Sequence, residues 1–126
     1  RDKRLEYLEQ LKSEGDSEQI FEIYQDLIDI SQKLRDPDSA SFYQFELIDY
    51  FQKNSLELVN LENYRLELNQ RAESSFSKSY FEVAATFYDK CERISQLFVQ
   101  LEREEEIAKI EEFRAKKNEC LNKINK

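Results

Sequence analysis

Histidine, tryptophan and methionine are absent from this 126-residue chain, which also has only one glycine and one proline. Without histidine there is no Ser-His-Asp or Cys-His triad, no HExxH zinc site and no haem ligated through histidine. One glycine is too few for a glycine-rich phosphate loop, and β-sandwiches, barrels and doubly wound folds need glycine and proline at many turns. The sequence therefore argues against an enzyme, and it predicts no catalytic residue, cofactor or metal ligand.

Long apolar runs are missing too, since none approaches the roughly 20 residues that a membrane-spanning helix needs. Two cysteines are too few for a disulfide framework, which favours a cytoplasmic location. The formal net charge of -8 argues against nucleic-acid binding and against a basic membrane-binding surface. The length favours one all-helical domain over residues 1–126, or a fragment of a longer repeat protein.

Helix-forming residues dominate the composition, and a few capping signals divide the chain. Apolar spacing predicts a short first helix over residues 2–14 that ends at Gly15, because glycine suits the left-handed residue after a helix. Asp16, with Gln19 three residues later, forms a capping box that predicts a second helix reaching about Leu34.

Asp36 followed by Pro37 predicts that a third helix begins almost at once and runs to about Lys53. Apolar and aromatic residues cover nearly all of its circumference, which is typical of a helix contacted on more than one side. We therefore expect this helix at the centre of the core.

Asn54 with Glu57 forms another capping box and predicts the start of a fourth helix. The serine-rich stretch over residues 74–79 is predicted to be a connection. Ser79 with Glu82 then predicts the start of a fifth helix.

The apolar stripe of that fifth helix stops at Leu101 and resumes at Ile107. The acidic residues Glu102–Glu106 suit a tight turn followed by the first turn of a sixth helix. One continuous helix from Ser79 to the C-terminus is the alternative.

The sequence also contains an internal similarity. Residues 20–34 align without gaps on residues 84–98, with Tyr24 matching Tyr88. Shared composition of two amphipathic helices is the alternative explanation for this match.

Ala84, Tyr88 and Cys91, spaced by four and three residues, resemble the small–aromatic–small pattern of a degenerate tetratricopeptide repeat or of SNAP-like adaptors. The matching positions of the first copy are Ile20, Tyr24 and Leu27. The chain departs from the family in lacking its helix-contact glycine, its closing proline and a clear middle copy. The resemblance implies stacked antiparallel helix pairs, a concave peptide-binding face and non-catalytic adaptor work.

We expect an all-α fold of five or six helices in antiparallel hairpins, stacked as a short TPR-like α-solenoid or closed into a bundle. The expected function is a non-enzymatic interaction module, an adaptor or scaffold that binds a protein or peptide of basic character. With 7 tyrosines and 9 phenylalanines, several tyrosines are expected on a binding groove rather than in the core. The tyrosines chosen for this groove are Tyr24, Tyr43, Tyr50, Tyr64 and Tyr88.

Charge supports the same expectation. Residues 13–72 contain 13 acidic and 5 basic side chains, which predicts an acidic face that attracts a basic partner. The acids chosen for this role are Asp26, Asp29 and Asp49. Solubility of an exposed surface is the alternative reason for these acids.

Cys91 and Cys120 lie almost equally far on either side of the turn near Glu105, so a hairpin would bring them to the same level. A redox-dependent bond between the last two helices is one interpretation. Two small buried thiols in a reducing compartment are the other, and we favour it.

Two further functions stay open. Exposed aromatic residues would also suit a self-assembling structural module, such as a homo-oligomer. A basic C-terminal helix would suit a peripheral membrane module that uses Lys109, Lys116, Lys117 and Lys123.

Overall fold

The computed structural model describes residues 16–125, and within that part of the chain it contains helices and no strand. The helices are α1 (Ser17–Lys33), α2 (Pro37–Lys53), α3 (Glu57–Ser77), α4 (Phe81–Gln100), a short 3-10 helix (Glu104–Glu106) and α5 (Ile107–Ile124). The predicted all-α class is confirmed. The helix predicted over residues 2–14 and its end at Gly15 lie outside the described residues.

The chain divides into two compact units, with the boundary between Leu61 and Glu62 inside α3. In unit 1, described over residues 16–61, α1 packs against α2 as a hairpin. In unit 2, described over residues 62–125, α4 packs along α5, and both contact the 3-10 helix. The expectation of a single domain stays a prediction.

Two of the predicted helix starts are confirmed by their capping bonds. The Asp16 carboxylate accepts from the backbone N–H groups of Glu18 and Gln19 at 3.0 and 3.3 Å. The Asp36 carboxylate accepts from the Ser39 N–H at 3.2 Å and from its hydroxyl at 2.6 Å, with Pro37 at the first helical position. Each aspartate thereby satisfies donors that the first turn of a helix leaves without partners.

The capping box predicted at Asn54 is wrong, because α3 begins three residues later, at Glu57. The Asn54 amide instead donates to the Tyr50 carbonyl at 2.8 Å and so caps the end of α2. Asparagine serves either end of a helix, and here the carbonyls of the preceding helix are closer.

The serine-rich connection is shorter than predicted, since α3 continues to Ser77. Ser79 does not cap the next helix either: its φ of 67° places it in the left-handed region after α3. The N-cap of α4 is Tyr80, which makes no side-chain capping bond. Serine is only a weak helix breaker, so a run of serines does not by itself end a helix.

Three helices end in the same way, each with a non-glycine residue at positive φ. These residues are Arg35 (56°), Ser79 (67°) and Glu102 (70°). The N–H of the next residue returns to a carbonyl five residues back, in the bonds Asp36 to Ser31 (2.8 Å), Tyr80 to Ser75 (2.8 Å) and Arg103 to Phe98 (3.0 Å). These are Schellman turns, in which glycine is the usual left-handed residue. The turn at Glu102 also shows that one continuous helix from Ser79 onward is wrong.

The internal similarity coincides with the helix positions, because α1 begins at Ser17 and α4 begins 64 residues later, at Phe81. Matched positions of the two copies are buried alike. These pairs are Ile20 and Ala84, Tyr24 and Tyr88, Leu27 and Cys91, and Ser31 and Ser95. Each helix therefore forms the first half of a hairpin with the same stripe of residues turned inward.

Candidate interaction surfaces

The tyrosines chosen from the sequence are mostly core residues. Tyr24 is completely buried, Tyr43, Tyr50 and Tyr88 are also buried, and Tyr64 is half-buried. The Tyr24 hydroxyl donates to the Glu46 carboxylate at 2.9 Å, so its polar end is satisfied inside the α1–α2 hairpin. Buried rings offer no surface to a partner in this structure, and a partner-binding role for these tyrosines stays a prediction.

The three chosen acids lie on two helices of unit 1. Asp26 is exposed on α1, and Asp29 is partly exposed on the same helix. Asp49 lies on α2 and forms an ion pair with Lys53 at 3.0 Å. Across residues 16–61 there are ten acidic and three basic side chains, so unit 1 carries nearly all of the net charge.

One face of α2, the helix expected at the centre of the core, carries two exposed phenylalanines. Phe42 is 51% exposed and Phe45 is 69% exposed. Residues three and four apart share a helix face, so Asp38 and Asp49 flank the two rings along this helix. We call these four residues the Phe42/Phe45 face.

The expectation that α2 is covered on several sides is therefore wrong. Its buried residues are Tyr43, Leu47, Tyr50 and Phe51. These positions follow the spacing of a single helical stripe, and Phe45 lies almost opposite that stripe on a 3.6-residue helix. Because apolar residues surround this helix in the sequence, the side that is buried becomes clear only from the structure.

A second exposed apolar surface lies at one end of unit 2. A cavity of about 310 Å³ is lined by Ser79, Tyr80, Phe81, Glu82, Val83 and Ile124. Tyr80 is 60% exposed and Val83 is 47% exposed, so the cavity opens between large apolar side chains. The α3–α4 turn and the end of α5 thus meet at this surface.

Lysines accompany those apolar side chains. Lys123 holds its ammonium 5.7 and 5.6 Å from the ring centroids of Phe76 and Phe81, which pack edge to face at 5.2 Å. Lys78 is exposed in the turn, two residues before Tyr80. We call Lys78, Tyr80, Val83, Lys123 and Ile124 the Tyr80 tip.

The interior of unit 2 holds a buried ion pair. The Arg65 guanidinium donates to both carboxylate oxygens of Glu106, at 2.6 and 3.3 Å, and to the Ser95 hydroxyl at 2.9 Å. It also lies 4.9 Å from the centroid of the Phe98 ring. Burial by itself would raise the pKa of Glu106, but Arg65 and Lys109 outweigh burial and hold that pKa below its usual value.

A cleft of about 350 Å³ lies beside this ion pair, between α3 and α5. The charged groups that line it already have partners within unit 2. Arg65 and Lys109 contact Glu106, Glu62 contacts Arg103, and Glu112 contacts Lys116. This arrangement stabilises the unit and leaves no charged group that points to a ligand.

Cys91 and Cys120 are free thiols, and both are completely buried. The Cys91 thiol donates to the Arg65 carbonyl at 3.6 Å. Burial raises the pKa of Cys91 to about 12, so the thiol stays protonated and unreactive near neutral pH. A redox role for the pair stays a prediction.

The lysines chosen for membrane binding are largely neutralised within unit 2. Lys117 pairs with Asp89 and Glu92 at 3.0 Å each. Lys116 pairs with Glu112 at 3.2 Å, and Lys109 lies 3.6 Å from Glu106. Lys123 differs, because its ammonium lies over the rings of Phe76 and Phe81.

The described part of the chain is thus all-helical and contains helical hairpins. It exposes the Phe42/Phe45 face, which is flanked by acidic residues, and the Tyr80 tip, which is accompanied by lysines. Models of known families, curated proteins and solved structures provide no match to this chain. The tetratricopeptide resemblance therefore stays a prediction. Among residues 16–125, no helix combines the length and the apolar character that crossing a bilayer requires.

Proposed function

We propose that this protein is a non-enzymatic interaction module whose Phe42/Phe45 face binds a basic peptide or helix with apolar side chains. The observation that carries the proposal is the exposure of Phe42 and Phe45 on one helix face within a strongly acidic unit. An adaptor or scaffold role, in the cytoplasm, agrees with the composition of the chain.

The apolar part of such a contact would supply most of its affinity. Complete burial of a phenylalanine side chain stabilises by about 1.5–3 kcal/mol, and both rings are at least half exposed before binding. A partner helix that places apolar residues at three- and four-residue spacing fits a pair of rings with the same spacing.

The acidic residues of unit 1 would favour basic partners over others and would raise the rate of association. Asp38 and Asp49 flank the rings, and the ten acids of residues 16–61 attract a basic partner from a distance. Such attraction between exposed charges is screened by salt, so binding should weaken as ionic strength rises.

A synthetic amphipathic peptide of leucine, alanine and lysine, labelled for fluorescence anisotropy, tests the proposal. We expect it to bind the protein at low salt and to bind more weakly at high salt. A Phe42→Ser/Phe45→Ser variant should lose about tenfold or more in affinity, as the loss of two central aromatic contacts does in other interfaces.

The matched control is Leu66→Ser/Ile107→Ser, which removes two exposed apolar side chains outside both surfaces and should bind the peptide like the native protein. A peptide with glutamate in place of lysine should not bind. Unchanged affinity in a Phe42→Ser/Phe45→Ser variant that keeps its helical circular dichroism would refute the proposal.

A further inference from the structure

We infer that the Phe42/Phe45 face of one molecule binds the Tyr80 tip of a second copy, so that the protein associates head to tail. The inference rests on the proposed function, because it identifies the basic and apolar partner of the face as the chain itself. Both surfaces are formed by described residues of the same molecule.

The two surfaces match in apolar character. The face presents two phenylalanine rings, and the tip presents Tyr80, Val83 and Ile124 around an open cavity of about 310 Å³. Aromatic side chains that enter a cavity lined by apolar residues are the usual anchors of protein interfaces. A ring from the face can therefore pack against the apolar side chains that line this depression on the tip.

The two surfaces differ in charge. Residues 16–61 carry three bases against ten acids, whereas the tip has Lys78 and Lys123 beside one lining carboxylate, Glu82. The Lys123 ammonium lies 5.6 Å from the centroid of the Phe81 ring, which lines the cavity, so this charge lies beside the apolar contact. Opposite charges around an apolar contact favour encounter and orient the two partners.

The same charges oppose a symmetric contact between two acidic faces. Pairing one Phe42/Phe45 face with its copy would bring two strongly acidic units together, and like charges at an interface are destabilising. The face-to-tip contact instead joins two different surfaces, which makes it a heterologous interface. A head-to-tail pair leaves one face and one tip unoccupied, so a further copy can bind at either end.

A sedimentation concentration series with the native protein and two variants tests this inference. The face variant is Phe42→Ser/Phe45→Ser, and the tip variant is Tyr80→Ser/Ile124→Ser. We expect the native protein to self-associate in a salt-sensitive manner, and each variant alone should lose about tenfold or more of the association constant.

Mixing the two variants separates the head-to-tail contact from a symmetric one. The face variant retains an intact tip and the tip variant retains an intact face, so an equimolar mixture should form a dimer and no larger species. If the native protein self-associates but the mixture stays monomeric, the contact is not face to tip. A monomeric native protein at high concentration and low salt would also overturn the inference.

The tip variant keeps this test separate from the proposed function. Its Phe42/Phe45 face is unchanged, so it should still bind the lysine-rich amphipathic peptide. Peptide binding without self-association would remove only the inference, whereas loss of both would remove the proposed function as well. The Leu66→Ser/Ile107→Ser variant should self-associate like the native protein, and circular dichroism checks the folding of each variant.

Discussion

The first helix of the hairpin in unit 1 (α1) and the first helix of the hairpin in unit 2 (α4) have similar sequences 64 residues apart. The two units nevertheless differ in how their charged residues are arranged. In unit 1 the α1–α2 hairpin is joined by a tyrosine–carboxylate bond, from Tyr24 to Glu46, and acids outnumber bases by ten to three over residues 16–61. In unit 2 acids and bases are nearly equal in number over residues 62–125, and many pair with each other. Buried and partly buried ion pairs thus stabilise unit 2, whereas unit 1 carries a large net negative charge.

The matched serines show the difference at one position. Ser31 and Ser95 occupy equivalent places in the repeat, and both are buried. The Ser95 hydroxyl accepts a hydrogen bond from the buried Arg65, whereas the carbonyl of Ser31 accepts the N–H of the Schellman turn that ends α1. The Ser95 side chain therefore supports the ion pair of unit 2, whereas the bond at Ser31 uses only its backbone.

The largest expected effect comes from removing one partner of the buried ion pair. Arg65→Ala leaves the Glu106 carboxylate buried without its main partner, and such changes cost about 3–5 kcal/mol of unfolding free energy. The control in unit 1 is Lys53→Ala, which breaks the exposed pair with Asp49 and should cost at most about 0.5 kcal/mol. Urea denaturation measures both. Similar small losses in the two variants would contradict the difference between the units.

Acid should weaken the two units unequally. The pKa of Glu106 is lower in the folded protein than its usual value of 4.5, so its contribution to stability is present above that pH and is lost as the pH falls through the folded pKa. Hydrogen bonds from Ser17 and Asn60 also lower the pKa of Glu57 in unit 1, but Glu57 is less buried.

Unfolding free energies measured between about pH 3 and pH 6 check this difference, because the titration of carboxylates dominates acid denaturation in that range. Glu106→Gln should reduce the slope of the unfolding free energy against pH in this range more than Glu57→Gln does. An equal slope in the native protein and in Glu106→Gln would show that this ion pair does not titrate as expected.

The smallest expected effect is a gain and should be alike in both units. Arg35→Gly, Ser79→Gly and Glu102→Gly each place glycine at a left-handed position, where a side chain costs roughly 1–2 kcal/mol. We expect each to raise the unfolding free energy by about 1 kcal/mol or less, because glycine also gains entropy in the unfolded chain. Gln70→Gly, in the exposed middle of α3, is the control and should destabilise by about 1 kcal/mol or less. Destabilisation by all three substitutions would mean that their side chains make compensating contacts.

Much of the fold could be predicted because several helix boundaries depend on local chemistry. Asp16 and Asp36 cap helices through bonds to residues two or three positions away, which a short stretch of sequence contains in full. Ser79 was misassigned because its left-handed conformation is imposed by the turn between two packed helices. Asn54 was misassigned because its amide can serve the helix before it as well as the helix after it.

The candidate site was harder to predict because burial depends on distant residues. Tyr24 is buried with its hydroxyl satisfied by Glu46, a partner 22 residues away that no local pattern indicates. The exposure of Phe42 and Phe45 depends on which side of α2 packs against α1, and apolar residues on nearly every side of α2 leave that choice open in the sequence. Counting aromatic residues alone did not separate the two groups.

The Arg65–Glu106 pair also has a consequence for synthesis of the chain. Its two residues are 41 positions apart, so a ribosome adding about 5–20 residues per second makes Glu106 roughly 2–8 s after Arg65. The buried ion pair of unit 2 therefore cannot form until Glu106 has been added to the chain. The bond between Tyr24 and Glu46 spans about half that length, so the α1–α2 hairpin can close while the rest of the protein is still being translated.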